Sequence, residues 1–156
     1  MKCILFFILF ISFQQSVNAQ LITRTFEEVE NLHVKKPIIV FLHAKWCKYC
    51  DVMENTTFKN EEVIKKLNNH YYFISFDVES KESIKFHDRI FNYKPSGYKT
   101  GIHELAEALG NTKNKLSYPT TVILNTKHEI IFQYPSLLRP KGFLKLLNVL
   151  KENETL

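Results

Sequence analysis

Cysteine is scarce here: the 156 residues hold three, and one of them, Cys3, falls in the first few. Secreted domains stapled by disulfides carry four or more cysteines at scattered positions, so that class is excluded. A structural zinc site wants four ligands, and a second cysteine pair or a paired histidine motif is missing. Glycine (4) and proline (5) are few, which argues against long disordered segments. Blocks of like charge are absent as well. The 21 Lys and Arg are interleaved with 16 Asp and Glu, and the net charge of +5 is spread rather than striped. No nucleic acid partner is expected from that pattern. Internal repeats, low-complexity stretches and a second-domain boundary are also lacking. No apolar run reaches the roughly 20 residues that span a bilayer.

The longest such run, Ile4 to Phe13, follows Lys2 and precedes the small-residue end Val17-Asn18-Ala19. That is the anatomy of a secretory signal, so residues 1–19 are expected to be removed, with an uncleaved anchor as the competing reading. Removal takes Lys2 from the count (5 − 1 = +4) and leaves Cys47 and Cys50 as the only cysteines. No membrane insertion is expected afterwards. Residues 20–156 are long enough for one domain with its own core. The C-terminal Asn153-Glu154-Thr155-Leu156 is not a retention tetrapeptide, so a periplasmic or secreted location is expected.

What is present centres on Phe41-Leu42-His43-Ala44-Lys45-Trp46-Cys47-Lys48-Tyr49-Cys50. The apolar, β-branched run Pro37–Leu42 predicts a central strand covered on both faces. Helical periodicity begins at about Cys47. Upstream, Thr25–Leu32 predicts a short helix capped by Thr23 or Thr25, burying Phe26, Val29 and Leu32. Downstream, Asn60 is placed to cap a helix that buries Val63, Ile64 and Leu67. Tyr71–Val78 predicts a second strand, parallel to the first as in a βαβ unit. A hairpin around His87-Asp88-Arg89, a turn at Pro95-Ser96-Gly97 and a helix over Ile102–Leu109 ended by Gly110 are expected next. Thr120–Leu124 and Glu129–Tyr134 predict a final hairpin, and Lys141–Leu150 the closing helix. The class is α/β with a central mixed sheet flanked by helices.

A Cys-x-x-Cys where a strand feeds a helix fits thiol–disulfide chemistry. The reactive species is the thiolate, and the free N–H groups of a helix start stabilise it. Cys47 sits at that start, near Lys45 and Lys48, and is read as the nucleophile. Cys50, three residues on, is read as the resolving thiol. Copper or zinc held by the same cysteines is the competing chemistry, with His43 close in sequence. His43 is otherwise expected to line the site or pack at the strand end. The other histidines (His33, His70, His87, His103, His128) are scattered and read as surface or turn residues.

Trp46-Cys47-Lys48-Tyr49-Cys50 resembles the W-C-x-x-C of the thioredoxin superfamily, and Tyr118-Pro119-Thr120 resembles its cis-proline segment. The resemblance implies a thioredoxin-like fold. It also implies that Trp46, Tyr118, Pro119 and Thr120 meet a substrate peptide lying alongside as an extra strand. The run Glu54-Asn55-Thr56-Thr57-Phe58-Lys59-Asn60-Glu61-Glu62-Val63, with Asp77 after the second strand, is similar to extracytoplasmic domains related to the C-terminal domain of the reductase DsbD. That likeness covers roughly residues 25–80 and 115–150. It implies a disulfide reductase acting on protein disulfides and re-reduced by a membrane or thioredoxin-like donor. No cofactor or metal is implied, and a monomer is expected.

Two departures stand out. Thioredoxins carry a buried Asp six residues before the first cysteine, and Phe41 stands there. Glu54, one helical turn from Cys50, then becomes the candidate proton-handling group, with an exposed helical Glu as the alternative. The segment Ser83–Lys115 is longer than a minimal thioredoxin needs and reads as an inserted hairpin and short helix, either a docking surface or a plain insertion. A thioredoxin-fold binding module without turnover is the remaining alternative.

Overall fold

The computed structural model describes residues 20–112 and 115–153. Residues 1–19, expected above to be a secretory signal and holding Cys3, and most of the C-terminal tetrapeptide lie outside them. Helix α1 (Phe26–Asn31) opens with a full capping box. The Thr25 hydroxyl accepts from the Glu28 N–H at 3.1 Å, and the Glu28 carboxylate accepts from the Thr25 N–H at 2.8 Å. Both are otherwise orphan donors of the first turn. Thr25, not Thr23, is therefore the cap. Phe26 and Val29 are buried as expected, whereas Leu32 is the half-buried C-cap. Thr25→Ala removes the hydroxyl that accepts from the Glu28 N–H, and a loss of about 1 kcal/mol in chemical denaturation is expected.

Strand β1 (Ile38–His43) is buried from Ile38 to Leu42. It pairs in parallel with β2 (Tyr72–Asp77), from Ile38 opposite Tyr72 to His43 opposite Asp77. Between them run α2 (Lys48–Asn55), a 3-10 turn (Thr57–Lys59) and α3 (Glu61–His70). Asn60 caps α3 through the Val63 N–H at 3.1 Å, and Val63, Ile64 and Leu67 point inward. The other edge of β1 pairs antiparallel with β7 (Thr120–Leu124), which pairs antiparallel with β8 (Ile130–Tyr134). The mixed sheet thus runs β2-β1-β7-β8. Helix α5 (Pro140–Asn153) closes the chain and seats Phe143 against Phe58, with ring centroids 5.6 Å apart.

The inserted segment departs from expectation in detail. The hairpin β3 (Ile84–Phe86) and β4 (Arg89–Phe91) turns at His87 and Asp88, both with positive φ, where it was anticipated. Pro95-Ser96-Gly97 is not a turn. It lies in β5 (Tyr93–Gly97), which pairs with β6 (Thr100–His103), and the reversal falls at Tyr98-Lys99. Proline is tolerated there because the ribbon has only two strands and its register shifts between Pro95 and Gly97. The insertion therefore carries two hairpins.

Ile102 and His103 belong to β6, and α4 begins at Glu104 and ends at Gly110, with Asn111 as its C-cap. Gly110 is required for space, not for a left-handed cap. A Cβ there would come within 2.4 Å of Leu42 Cδ1 and 2.6 Å of Leu116 Cδ1. His103 is fully buried, contrary to its reading as a surface residue. Its Nδ1 accepts from the Leu105 N–H at 3.1 Å, so Nε2 carries the proton toward the Glu82 carbonyl at 2.9 Å. With both ring nitrogens partnered, burial costs little.

Two further histidines, distant in sequence, meet at the surface. His128 Nδ1 lies 2.8 Å from His87 Nε2, and the His128 ring stacks on Phe86. Burial and then the neighbouring His87 hold the His128 pKa below its ordinary value, with Lys35 adding to this and Glu30 opposing it. A histidine depressed in this way binds fewer protons folded than unfolded, so its stability contribution is present above about pH 6.5 and lost as the pH falls. The melting temperature is expected to drop between pH 7.5 and 5.5, and His87→Gln to lessen that drop in thermal scans.

Candidate active site

Cys47 is the N-cap of α2, and Cys50 lies in its first turn. Extended backbone at Cys47 turns its side chain back over the helix start. Its Sγ accepts from the Cys50 N–H at 3.1 Å, and the same N–H reaches the Cys47 carbonyl at 3.0 Å. Hydrogen bonding to the anionic form favours it, so a thiolate at Cys47 gains both this donor and the positive end of the helix. The two sulfurs are joined as a disulfide, with Cα atoms 5.2 Å apart. Cys47 is 7% exposed and Cys50 1%, which makes Cys47 the outer sulfur.

The surroundings of the pair separate into an exposed face and a buried back. On the exposed face, Trp46 and Tyr49 are each 65% exposed. Trp46 donates its indole N–H to Glu79 at 3.1 Å and meets Tyr118 edge-to-face, with centroids 5.8 Å apart. The Tyr118–Pro119 bond is cis. Burial, reinforced by Glu79 and Glu107, pushes the Tyr118 hydroxyl up to about 12, so it stays a neutral donor at any working pH. Thr120 is buried and its hydroxyl donates to the Ser117 carbonyl at 2.6 Å. Because Leu42 sits opposite Thr120 in the β1–β7 ladder, the loop leading to Cys47 runs beside Tyr118-Pro119. All the sequence-identified contact residues therefore meet at one end of the sheet.

At the back, Phe41 is fully buried, stacked on His43 and edge-on to Phe58. Glu54 is half-exposed, and its Oε1 lies 3.6 Å from His43 Nδ1. Burial lowers the His43 pKa from its ordinary value, Glu54 and Asp77 oppose this, and Lys45 adds to it. Lys45 pairs with Asp77 at 3.7 Å, so its charge is shared with that carboxylate instead of being aimed at the cysteines alone. Sequence reasoning missed two partners, Glu79 under Trp46 and His43 beside Glu54. The second had a signal in the alternation of β1, which puts His43 on the same face as Phe41. Among the described residues, no group of three or more His, Cys, Asp and Glu side chains could hold a metal ion, and no helix is long and apolar enough to cross a membrane.

A helix-capping cysteine pair at the end of a four-stranded mixed sheet, beside a cis-proline segment, defines a thiol–disulfide oxidoreductase of thioredoxin-like fold. Residues 26–151 match the thioredoxin-like domain model, and the chain belongs to that family. Among solved structures, the DsbH oxidoreductase superposes with a TM-score of 0.60 at 13% identity, over 89% of this chain and 90% of that one. A thioredoxin from Thermus thermophilus gives 0.59 at 20% identity, over 84% and 87%. The disulphide isomerase from Xylella fastidiosa Temecula1 gives 0.51 at 17% identity, over 75% and 79%. At these identities the likeness is one of fold. Comparison with curated protein sequences gives no match.

Proposed function

We propose that this protein is an extracytoplasmic disulfide reductase acting on protein substrates. The observation that carries this is Cys47 Sγ at the cap of α2, outermost of the pair and beside the cis Tyr118–Pro119 bond. The thiolate of Cys47 attacks a substrate disulfide, forming a Cys47–substrate mixed disulfide and releasing one substrate thiolate. Cys50 then loses its proton and attacks Cys47 Sγ. The second substrate thiolate leaves, and the Cys47–Cys50 disulfide remains. Two electrons have passed to the substrate, and a membrane or thioredoxin-like dithiol donor returns the pair to the reduced state. Glu54, one helical turn from Cys50, takes part in carrying the Cys50 proton away. A substrate peptide lies along the backbone of Tyr118–Thr120 as an added strand, packed by Trp46 and Tyr118.

Export rests on the signal-like residues 1–19, with a mature chain of 20–156 that works as a monomer. The reducing direction draws on the Glu54, Thr57-Phe58 and Asp77 likeness to DsbD-type domains. Two measurements test the reading. Cys50→Ala is expected to trap substrate proteins as mixed disulfides at Cys47 that reductant releases; a variant that traps none favours a binding module. A reduction potential near the thioredoxin value of about −270 mV supports a reductase, and one near −120 mV overturns the direction.

A further inference from the structure

We propose that His43 is the proton acceptor for Cys50, with Glu54 stabilising the imidazolium that results. This rests on the reading of Cys47 as nucleophile and Cys50 as resolver. Cys50 is 1% exposed, so its thiol must lose a proton where bulk water is scarce. Phe41, at the position where thioredoxins hold an acid, cannot take it. Side chains alternate along β1, so Phe41 and His43 share a face, and their rings stack with centroids 5.3 Å apart. Phe41 in turn meets Phe58 of the 3-10 turn that follows α2, so this face of the strand looks onto the α2 side.

Helix α2 supplies the other half. Glu54 lies four residues beyond Cys50, hence one turn along the same face, and its Oε1 is 3.6 Å from His43 Nδ1. The strand histidine and the resolving cysteine therefore address a common strip of the helix. Neutral imidazole is a base, and burial favours that form of His43. The charged groups acting on it are Glu54 from α2, Asp77 from β2 directly opposite in the ladder, and Lys45 from the cysteine loop. The two carboxylates offset the cost of the positive charge once a proton arrives. Glu54 also lines a cleft of about 700 Å³ bounded by Gln20, Thr23, Phe58 and Ser75, so its carboxylate faces solvent on that side.

The step balances within these groups. The Cys50 S–H bond breaks and its proton binds the imidazole. The sulfur's electron pair forms the bond to Cys47 Sγ, and the Cys47–substrate bond breaks toward the substrate thiolate. The proton then leaves His43 along Glu54 to the cleft or to the departing thiolate.

Stopped-flow reaction of the reduced protein with 5,5′-dithiobis(2-nitrobenzoate) separates the two thiols. The first nitrothiobenzoate released reports attack by Cys47, and the second reports resolution by Cys50. His43→Gln is expected to keep the first phase and slow the second about 100-fold, the usual scale of general-base catalysis. The limb of the second-phase pH profile set by His43 disappears in that variant. Glu54→Gln removes a charge that raises the His43 pKa, so the same limb moves to lower pH. The proposal is overturned if both variants keep the wild-type second-phase rate and pH profile. A Cys47→Ser variant that keeps the wild-type first phase defeats the assignment of Cys47 instead, so the two failures are distinct. Thermal unfolding checks that His43→Gln folds; if it does not, Glu54→Gln decides the matter through the position of the limb.

Discussion

Reduced protein carrying Cys47→Ser reduces a model disulfide, such as insulin, no faster than the dithiol supplied to regenerate it. The expected loss is at least about 1,000-fold, because removing the nucleophile of a covalent mechanism takes away the step on which the others depend. Hydroxyl oxygen cannot substitute: its proton is held far more tightly than a thiol's, and the donors at the start of α2 stabilise only a charge that can form. Cys50→Ser separates the roles. Its first attack survives, because Cys47 Sγ is the outer sulfur and keeps the Cys50 backbone N–H as donor. Turnover stalls at the mixed disulfide. Insulin turbidity measures the first variant and non-reducing gel electrophoresis the second. Reduction at the native rate by Cys47→Ser would remove the mechanism altogether.

The largest stability effect is expected at Phe41. Its side chain is fully buried between His43 and Phe58, in the strand that pairs with both β2 and β7. Phe41→Ala leaves a cavity that the sheet cannot collapse to fill, and such substitutions cost about 3–5 kcal/mol. A domain of this size is stable by only about 5–15 kcal/mol, so roughly a fifth or more of the total is at stake. Phe41→Leu keeps much of the volume and is expected to cost clearly less. Urea denaturation of the two variants measures the difference, and equal midpoints would show that the ring fills no space that matters. The same pair bears on function. The ring that occupies the acid position also carries His43 on its face, so the alanine variant frees the imidazole from its stacking partner.

Much of the fold was legible because its signals are local. The short, β-branched apolar run of β1 reads as a strand covered on both faces, and Asn60 caps α3 because its own side chain reaches an N–H three residues on. Gly110 and Pro95 misled for the opposite reason. A glycine near a helix end looks like a cap, yet here it answers to Leu42 and Leu116, 68 and 6 residues away along the chain. Pro95 looks like a turn, yet an exposed two-stranded ribbon absorbs its missing donor. His103 caps α4 locally through the Leu105 N–H, but its burial was unreadable in sequence because its other partner is the Glu82 carbonyl, which only the return of β6 to the domain supplies.

The site divides in the same way. The sequence by itself determined the chemistry of the pair, since two cysteines three apart at a helix start face the free N–H groups of that helix wherever it sits. It determined, too, that Phe41 removes the buried acid and that Glu54 falls one turn from Cys50. Only the tertiary structure decided what stands around them. The β1–β7 register sets the cysteine loop beside Tyr118-Pro119, and Trp46 reaches Glu79 across the end of β2. His43 is brought to 3.6 Å from Glu54, a pairing between a strand end and a helix face. Spacing along a chain specifies which side chains share one element's face. Which two faces meet is settled by how the sheet and helices bury their apolar sides together.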